Sequence, residues 1–141
     1  MTEREPLLKR ADRRHLPLLL TLIEAFCELD QHPYERTRVE SALTPLLEHD
    51  EFGVVYLVDD DQGYVVITWG YSLESGGREA LVDEIYLRQR GRGVGTKVMR
   101  ALFDDLRGHG IVKMFLETEH HNARARTFYA RQGFEATQKQ D

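Results

Sequence analysis

Apolar and polar residues recur along the first part of this chain with the spacings of a strand and two helices. A strand is predicted over Leu7–Arg10, and Asp12 is placed to cap the helix that follows it. Apolar side chains of this helix recur every three or four residues, at Leu16, Leu19, Leu20, Ile23 and Phe26. A second helix is predicted through Leu47, beginning where Thr37-Arg38-Val39-Glu40 has the form of a capping box.

Three antiparallel strands are predicted in the middle of the chain. Phe52–Val58 and Tyr64–Leu73 are rich in apolar and β-branched residues, which favours strands. The turn-forming segment Asp59–Gly63 joins them, so the two strands are predicted to form a hairpin. A further turn at Ser75-Gly76-Gly77 leads to a third predicted strand over Leu81–Leu87.

The second half of the chain predicts helices that alternate with strands. A helix is predicted from an apolar stripe that comprises Val94, Val98, Met99, Leu102, Phe103 and Leu106. A strand over Ile111–Glu117 is followed by a helix that Asn122 caps and that Gly133 ends in a left-handed conformation. Phe134–Asp141 is predicted to start one last strand. This order predicts one domain over residues 1–141, of α+β class, with about six strands in a mixed sheet and helices on both faces.

Composition and charge narrow the classes of function. The chain has 141 residues, 41% hydrophobic and 30% charged, which is typical of a globular domain. Its net charge of -5 argues against nucleic acid as a partner. No apolar stretch reaches the roughly 18 residues that a membrane-spanning helix needs. The one cysteine, Cys27, excludes a disulfide framework, and no histidine has metal-ligand spacing. A cytoplasmic protein without membrane, nucleic-acid or metal partners is therefore predicted.

A run of glycines and arginines over Arg88–Gly95 lies between a predicted strand and a predicted helix. The first backbone N–H groups of a helix have no partner within the helix, and the helix dipole is positive at this end. Glycines let the backbone approach an anion closely, while Arg90 and Arg92 would add positive charge. The run therefore predicts a binding site for phosphate or pyrophosphate.

Three phosphate-binding motifs compete for this run. The dinucleotide motif G-x-G-x-x-G would need glycine at Thr96, and the spacing of a P-loop does not fit Gly95-Thr96-Lys97. The third motif, [Q/R]-x-x-G-x-[G/A], is met by Arg90–Gly95 and also, two residues earlier, by Arg88–Gly93. The later register agrees better with the predicted helix.

Two blocks of sequence, VDEIYLRQRGRGVGTKVMRAL at 82–102 and FLETEHHNARARTFYARQGFE at 115–135, carry a resemblance to a known family. They resemble the GNAT superfamily of acyl-CoA-dependent N-acetyltransferases. The resemblance implies a GNAT-like, mostly antiparallel sheet flanked by four helices, with a splay between the strands at 81–87 and 111–117. It implies direct transfer of an acetyl group from acetyl-CoA, as co-substrate, to a primary amine in a ternary complex without a metal.

The resemblance also implies which residues contact acetyl-CoA. The backbone at the start of the helix would hold the pyrophosphate, through Arg90, Gly91, Arg92, Gly93, Val94, Gly95 and Thr96. The strand backbone at Ile85, Tyr86 and Leu87 would pair with the pantetheine arm. Asn122 would contact this arm from the neighbouring loop, and Tyr129 would face the sulfur and protonate it. The alternative for Tyr129 is an ordinary core tyrosine.

The base that takes a proton from the amine is one of two adjacent acids. Strand alternation places Asp83 on the face of Ile85, and Glu84 on the face of Val82. The resemblance to the spermidine/spermine branch of the family favours Asp83, with Glu84 as its rival. The alternative for either acid is an ion pair with an arginine of the glycine run.

The acceptor is expected to be a small-molecule or peptide amine, bound by residues 27–40 and 69–79. Trp69 and Tyr71 share a strand face, so they could line the acceptor pocket and hold a cation on their aromatic rings, or they could be ordinary strand aromatics. Asp83 is also assigned to binding of the acceptor. Family members often form homodimers.

Only eight residues follow from Phe134, where the family usually adds two strands. A non-catalytic acyl-CoA-binding module or regulator is therefore the alternative function.

Overall fold

The structure is a computed structural model, and it describes residues 7–89, 93–117 and 123–135. In this part of the chain five strands form one sheet in sequential order, namely β1 (Leu8–Arg10), β2 (Gly53–Val58), β3 (Gly63–Ser72), β4 (Gly77–Leu87) and β5 (Lys113–Leu116). β1 to β4 are antiparallel neighbours, and β5 runs parallel to β4. The predicted α+β class and mostly antiparallel sheet are confirmed. The described residues form five strands rather than about six, and most of the expected last strand lies outside them.

The four predicted helices are confirmed as α1 (Leu16–Leu29), α2 (Arg36–Glu48), α3 (Val94–Gly108) and α4 (Ala123–Arg131). Asp12 caps a short 3₁₀ turn over Arg13–His15 that precedes α1. The predicted capping box at Thr37 is wrong. The N-cap of α2 is Glu35, whose carboxylate accepts a hydrogen bond from the backbone N–H of Arg38 at 3.2 Å. Gly133 follows α4 with a φ of 99°, as predicted, while Asn122 lies outside the described residues.

The sheet is covered by helices on both faces. We call the first face the α1/α2 face, where Val55, Leu57, Tyr64 and Val66 pack against the two N-terminal helices. On the opposite face, the α3/α4 face, the buried sheet residues are Val54, Tyr56, Val58, Val65, Ile67, Ala80 and Val82. Every residue of β2 is buried as a result, since each strand side chain finds a helix on its own side. In the described ranges, no helix is long and apolar enough to cross a membrane.

β4 and β5 separate part of the way along β4. Their pairing runs from Glu79 opposite Lys113 to Val82 opposite Leu116. β4 continues to Leu87, so in the described part of the chain its last five residues have no partner on the β5 side. This separation is the splay that the GNAT resemblance implied, and it leaves backbone groups of β4 open to a ligand.

A β-bulge at Asp83 interrupts the alternation of β4. Val66 pairs with Glu84 and the next residue, Ile67, pairs with Val82, so Asp83 is an extra residue in β4. Beyond the bulge, Glu84 turns to the α1/α2 face, where it bonds Tyr64. Val82 therefore lies on the α3/α4 face. The expectation that Glu84 shares a face with Val82 is wrong, because one inserted residue reverses the alternation.

Candidate active site

The N-terminus of α3 adjoins the open end of β4. Its N-cap is Gly93, which adopts the left-handed conformation with a φ of 74°. In the ranges that the structure describes, no side chain caps this end of the helix. The backbone N–H groups of Val94, Gly95 and Thr96 are those that an α-helix cannot pair internally. This helix end has the geometry on which the predicted anion site depends, and anion binding itself stays a prediction. The predicted contacts at Arg90, Gly91, Arg92 and Asn122 lie outside the described residues.

Gly93 and Gly95 are glycines for two different physical reasons. A Cβ atom on Gly93 would point into open space, so its positive φ is what favours glycine. A Cβ atom on Gly95 would lie 2.9 Å from Cζ of Phe128, so this glycine lets α3 and α4 pack closely. Sequence reasoning missed this packing role and assigned both glycines to the ligand.

Tyr129 lies on α4, half-buried on the α3/α4 face. It packs into the same cluster as Ile85, Leu87 and Val94, so the structure brings together predicted residues from β4, α3 and α4. Its ring lies edge-on to that of Phe134, with 5.9 Å between the centroids. Burial raises the pKa of Tyr129, so its hydroxyl keeps its proton and can donate it in a hydrogen bond.

Glu84 is a half-buried carboxylate on the α1/α2 face. Its Oε1 accepts a hydrogen bond from the Tyr64 hydroxyl at 2.5 Å. Burial is the main cause that raises the pKa of Glu84, and the charge of Asp83 raises it further. The bond from Tyr64, and more weakly His32, lower this pKa. Asp83 itself is exposed on the bulge. The two candidate bases therefore differ in surroundings, because Glu84 is half-buried and hydrogen-bonded whereas Asp83 is exposed.

The end of α1 and the segment after it contribute further titratable groups near Glu84. Burial, followed by the charges of Glu84 and Asp30, raises the pKa of the Cys27 thiol. Cys27 is therefore a poor nucleophile. His32 Nε2 lies 2.7 Å from Asp30 Oδ2, and both side chains are exposed. These residues lie within the segment 27–40 that was expected to form part of the acceptor pocket. No group suited to a metal ion occurs in residues 7–89, 93–117 and 123–135.

Trp69 lies on the α3/α4 face, opposite Glu84. Its indole N–H donates to the carbonyl of Asp50 at 2.8 Å, and the guanidinium carbon of Arg78 lies 5.5 Å from the centre of its ring. Tyr71 is 78% exposed near the end of β3. The structure does not bring these two aromatic residues together with Glu84, and their substrate-binding role stays a prediction.

Comparisons with known proteins agree with this geometry. No curated protein matches the sequence. An integron cassette protein from the mobile metagenome of Cole Harbour Salt Marsh is 25% identical, with a TM-score of 0.83 over 96% of this chain and 87% of that chain. Ribosomal-protein-alanine N-acetyltransferase from Brucella melitensis biovar Abortus 2308 is 18% identical, with a TM-score of 0.72 over 95% of this chain and 96% of that one.

A third similar structure was solved with a CoA-containing ligand. AAC(6')-Iy, in complex with the bisubstrate analogue CoA-S-monomethyl-acetylneamine, is 16% identical, with a TM-score of 0.72 over 95% of this chain and 93% of that chain. These structural similarities are evidence for a shared fold. The profile of the Acetyltransferase (GNAT) family matches residues 19–134, which is most of the sequence. The chain therefore belongs to the GNAT family of acetyltransferases.

Proposed function

We propose that this protein transfers the acetyl group of acetyl-CoA to a primary amine by direct attack in a ternary complex. One observation carries the proposal. Among the described residues, β5 leaves the end of β4 unpaired, and the helix that follows has a left-handed N-cap, Gly93, with no side-chain cap. An exposed strand edge suits an extended, amide-bearing arm, and an uncapped helix N-terminus suits a pyrophosphate. Acetyl-CoA contains both groups in one molecule.

The described residues fit acetyl-CoA at two places. The N–H groups of Val94, Gly95 and Thr96 would hold the pyrophosphate, and the backbone of Ile85 and Leu87 would pair with the pantetheine arm. When bound, acetyl-CoA supplies an activated acetyl carbonyl and a thiol leaving group. Thr96 has a further role in holding the site together, because its Oγ1 lies 3.2 Å from the Gln132 side-chain amide that donates to it from the end of α4.

We assign the general base to Glu84, ahead of Asp83. An alkylammonium has a pKa of about 10.4, so the acceptor must lose a proton before its nitrogen can attack. A carboxylate with a raised pKa is the stronger proton acceptor, and burial and its acidic neighbours raise that of Glu84. Asp83 is exposed, so bulk water would compete there for the amine. Activity is expected to rise with pH through the pKa of Glu84, because only the ionised carboxylate accepts a proton.

Tyr129 is proposed to protonate the sulfur as it leaves. We expect Tyr129→Phe to lower kcat about 10- to 100-fold while CoA affinity stays within about twofold. The loss is moderate because a thiol with a pKa near ~8.5 leaves readily even without a proton donor. Steady-state release of free thiol measures kcat, and calorimetry measures CoA affinity. A kcat equal to that of the wild type would remove Tyr129 from the mechanism.

An acceptor screen tests the proposed function as a whole. Purified protein is incubated with acetyl-CoA and a panel of amines, and amine-dependent release of CoA is measured. The panel includes neamine and a peptide with N-terminal alanine, because the names of two similar structures contain these groups. It also includes diamines and free lysine. Amine-dependent turnover supports the proposal, whereas CoA binding without turnover on any amine would favour a non-catalytic acyl-CoA-binding module.

A further inference from the structure

A partly buried hydrogen bond joins two neighbouring strands at the proposed base. Tyr64 of β3 is 0% exposed, and its hydroxyl donates to Glu84 Oε1 at 2.5 Å. Its ring lies edge-on to Phe26 of α1, with 6.5 Å between the centroids, and 5.9 Å from the ring of Tyr86. The phenol is thus packed on several sides, so the position of its hydroxyl is set by the core and not by solvent.

We propose that Tyr64 is a positioning residue that holds the Glu84 carboxylate in one orientation and favours its ionised, proton-accepting form. This inference rests on the proposed function, in which Glu84 takes the proton of the amine. Tyr64 is fully buried and its hydroxyl bonds Glu84, so it is proposed to act through the carboxylate and not by direct contact with the amine. The hydroxyl bonds Oε1 of the carboxylate, and among the residues that the structure describes no hydrogen bond to the other oxygen is formed.

The bulge at Asp83 makes this contact possible. Tyr64 pairs with Tyr86, and Val66 pairs with Glu84, so Tyr64 and Glu84 are diagonal neighbours on adjacent strands. Such neighbours lie within reach of an aromatic side chain when both face the same side of the sheet. Strict alternation from Val82 would have put Glu84 on the other face, away from Tyr64. The hydrogen bond between Tyr64 and Glu84 therefore depends on both the bulge and the buried tyrosine.

The groups around Glu84 act on its carboxylate in opposite directions. Burial raises its pKa, and the negative charges of Asp83 on β4 and Asp30 after α1 add to this effect. His32, paired with Asp30, lowers the pKa. Tyr86 on β4 packs against Tyr64, and Cys27 on α1 keeps its proton. The bond from Tyr64 is the largest influence that favours the ionised form, so its removal would leave burial opposed only by the weaker effect of His32.

Tyr64→Phe tests this inference because it removes the hydroxyl and keeps the ring. The pKa of Glu84 is expected to rise, which moves the acid limb of the pH profile of kcat/KM to higher pH. At a given pH on the acid limb, kcat/KM of the variant is expected to be about three- to tenfold lower than that of the wild type. On the plateau at high pH, the variant recovers most of the wild-type rate. A purely structural role would lower the rate equally at every pH.

Tyr56→Phe is the matched control. Tyr56 is also a buried strand tyrosine, and its hydroxyl donates to a carboxylate, that of Asp105, but on the α3/α4 face. The control loses an equivalent hydroxyl without touching Glu84, so its acid limb is expected to match that of the wild type. If Tyr64→Phe gives the same profile as Tyr56→Phe, the positioning role of Tyr64 is overturned.

A titration that needs no turnover separates this inference from the proposed function. The side-chain carboxyl of Glu84, labelled with ¹³C and assigned by its loss in Glu84→Gln, is followed by NMR across pH. A higher midpoint in Tyr64→Phe supports the inference, and an unchanged midpoint refutes it, whether or not the protein acetylates any amine. If Tyr64→Phe does not fold, Tyr64 is replaced instead by 3-fluorotyrosine, whose hydroxyl is a stronger hydrogen-bond donor. It is expected to lower the midpoint, and an unchanged or higher midpoint refutes the inference.

Discussion

Replacement of Glu84 by glutamine is expected to lower kcat/KM for acetyl transfer by about 10²- to 10⁴-fold at neutral pH. The amide has nearly the shape of the carboxylate but cannot accept a proton from the amine. Its oxygen can still accept the hydrogen bond that Tyr64 donates to Glu84 in the structure, so the fold should be maintained. Steady-state release of CoA with the best amine of the screen measures the effect, and calorimetry should show CoA affinity within about twofold of the wild type.

Asp83→Asn is the matched control for this prediction. Asp83 is the adjacent acid, and it is exposed on the bulge, so its loss should lower kcat/KM by less than about tenfold. The acid limb of the pH profile should disappear in Glu84→Gln and persist in Asp83→Asn, because only the true base titrates in that limb. A larger loss in Asp83→Asn than in Glu84→Gln would reverse the assignment of the base.

Gly93→Val is expected to weaken CoA binding by about tenfold or more. A β-branched residue disfavours the left-handed conformation that Gly93 adopts, by roughly 1–2 kcal/mol. Relief of this strain would turn the first N–H groups of α3 away from the pyrophosphate, and about 1.4 kcal/mol of lost binding free energy corresponds to a tenfold change in Kd. Calorimetric titration with CoA measures Kd directly.

Gly110→Val controls for the backbone strain. Gly110 has a φ of 75° just beyond the other end of α3, and a Cβ atom there would also meet open space. Both variants should lose similar stability in thermal unfolding, but only Gly93→Val should lose CoA affinity. Equal CoA affinity in the two variants would show that the backbone conformation at Gly93 has no part in the site.

Much of the fold follows from local pattern in the sequence. The apolar stripe that includes Val98 and Leu102 predicted α3, and both side chains are fully buried on the sheet. The turn residues before Gly63 predicted the β2–β3 hairpin. The start of α2 was misplaced because a Thr-x-x-Glu pattern resembles a capping box, whereas Glu35 just upstream provides the cap. Two competing local signals cannot be ranked without the tertiary structure.

The surroundings of the candidate site were harder to predict. The three-residue spacing between Val82 and Ile85, both on the α3/α4 face, is a trace of the bulge, but apolar Leu81 and Tyr86 conceal it. The contact of Tyr64 with Glu84 joins residues 20 positions apart and depends on that bulge. Local periodicity therefore gives only this weak trace of the bulge and no information on the contact of Tyr64 with Glu84. The resemblance favoured Asp83 as the base, and these two features, which the sequence did not reveal, are the reason that we propose Glu84 instead.

CoA binding followed by ¹⁵N NMR tests the proposed site most directly. Unlabelled CoA is titrated into ¹⁵N-labelled protein, and the backbone amide resonances are followed to saturation. The predicted result is one-to-one binding, with the largest shifts at the start of α3, over Gly93–Thr96, and at the unpaired end of β4, over Ile85–Leu87. Lack of binding, or saturable binding that leaves the amides at the start of α3 unchanged, would contradict the assignment of this helix end to the pyrophosphate.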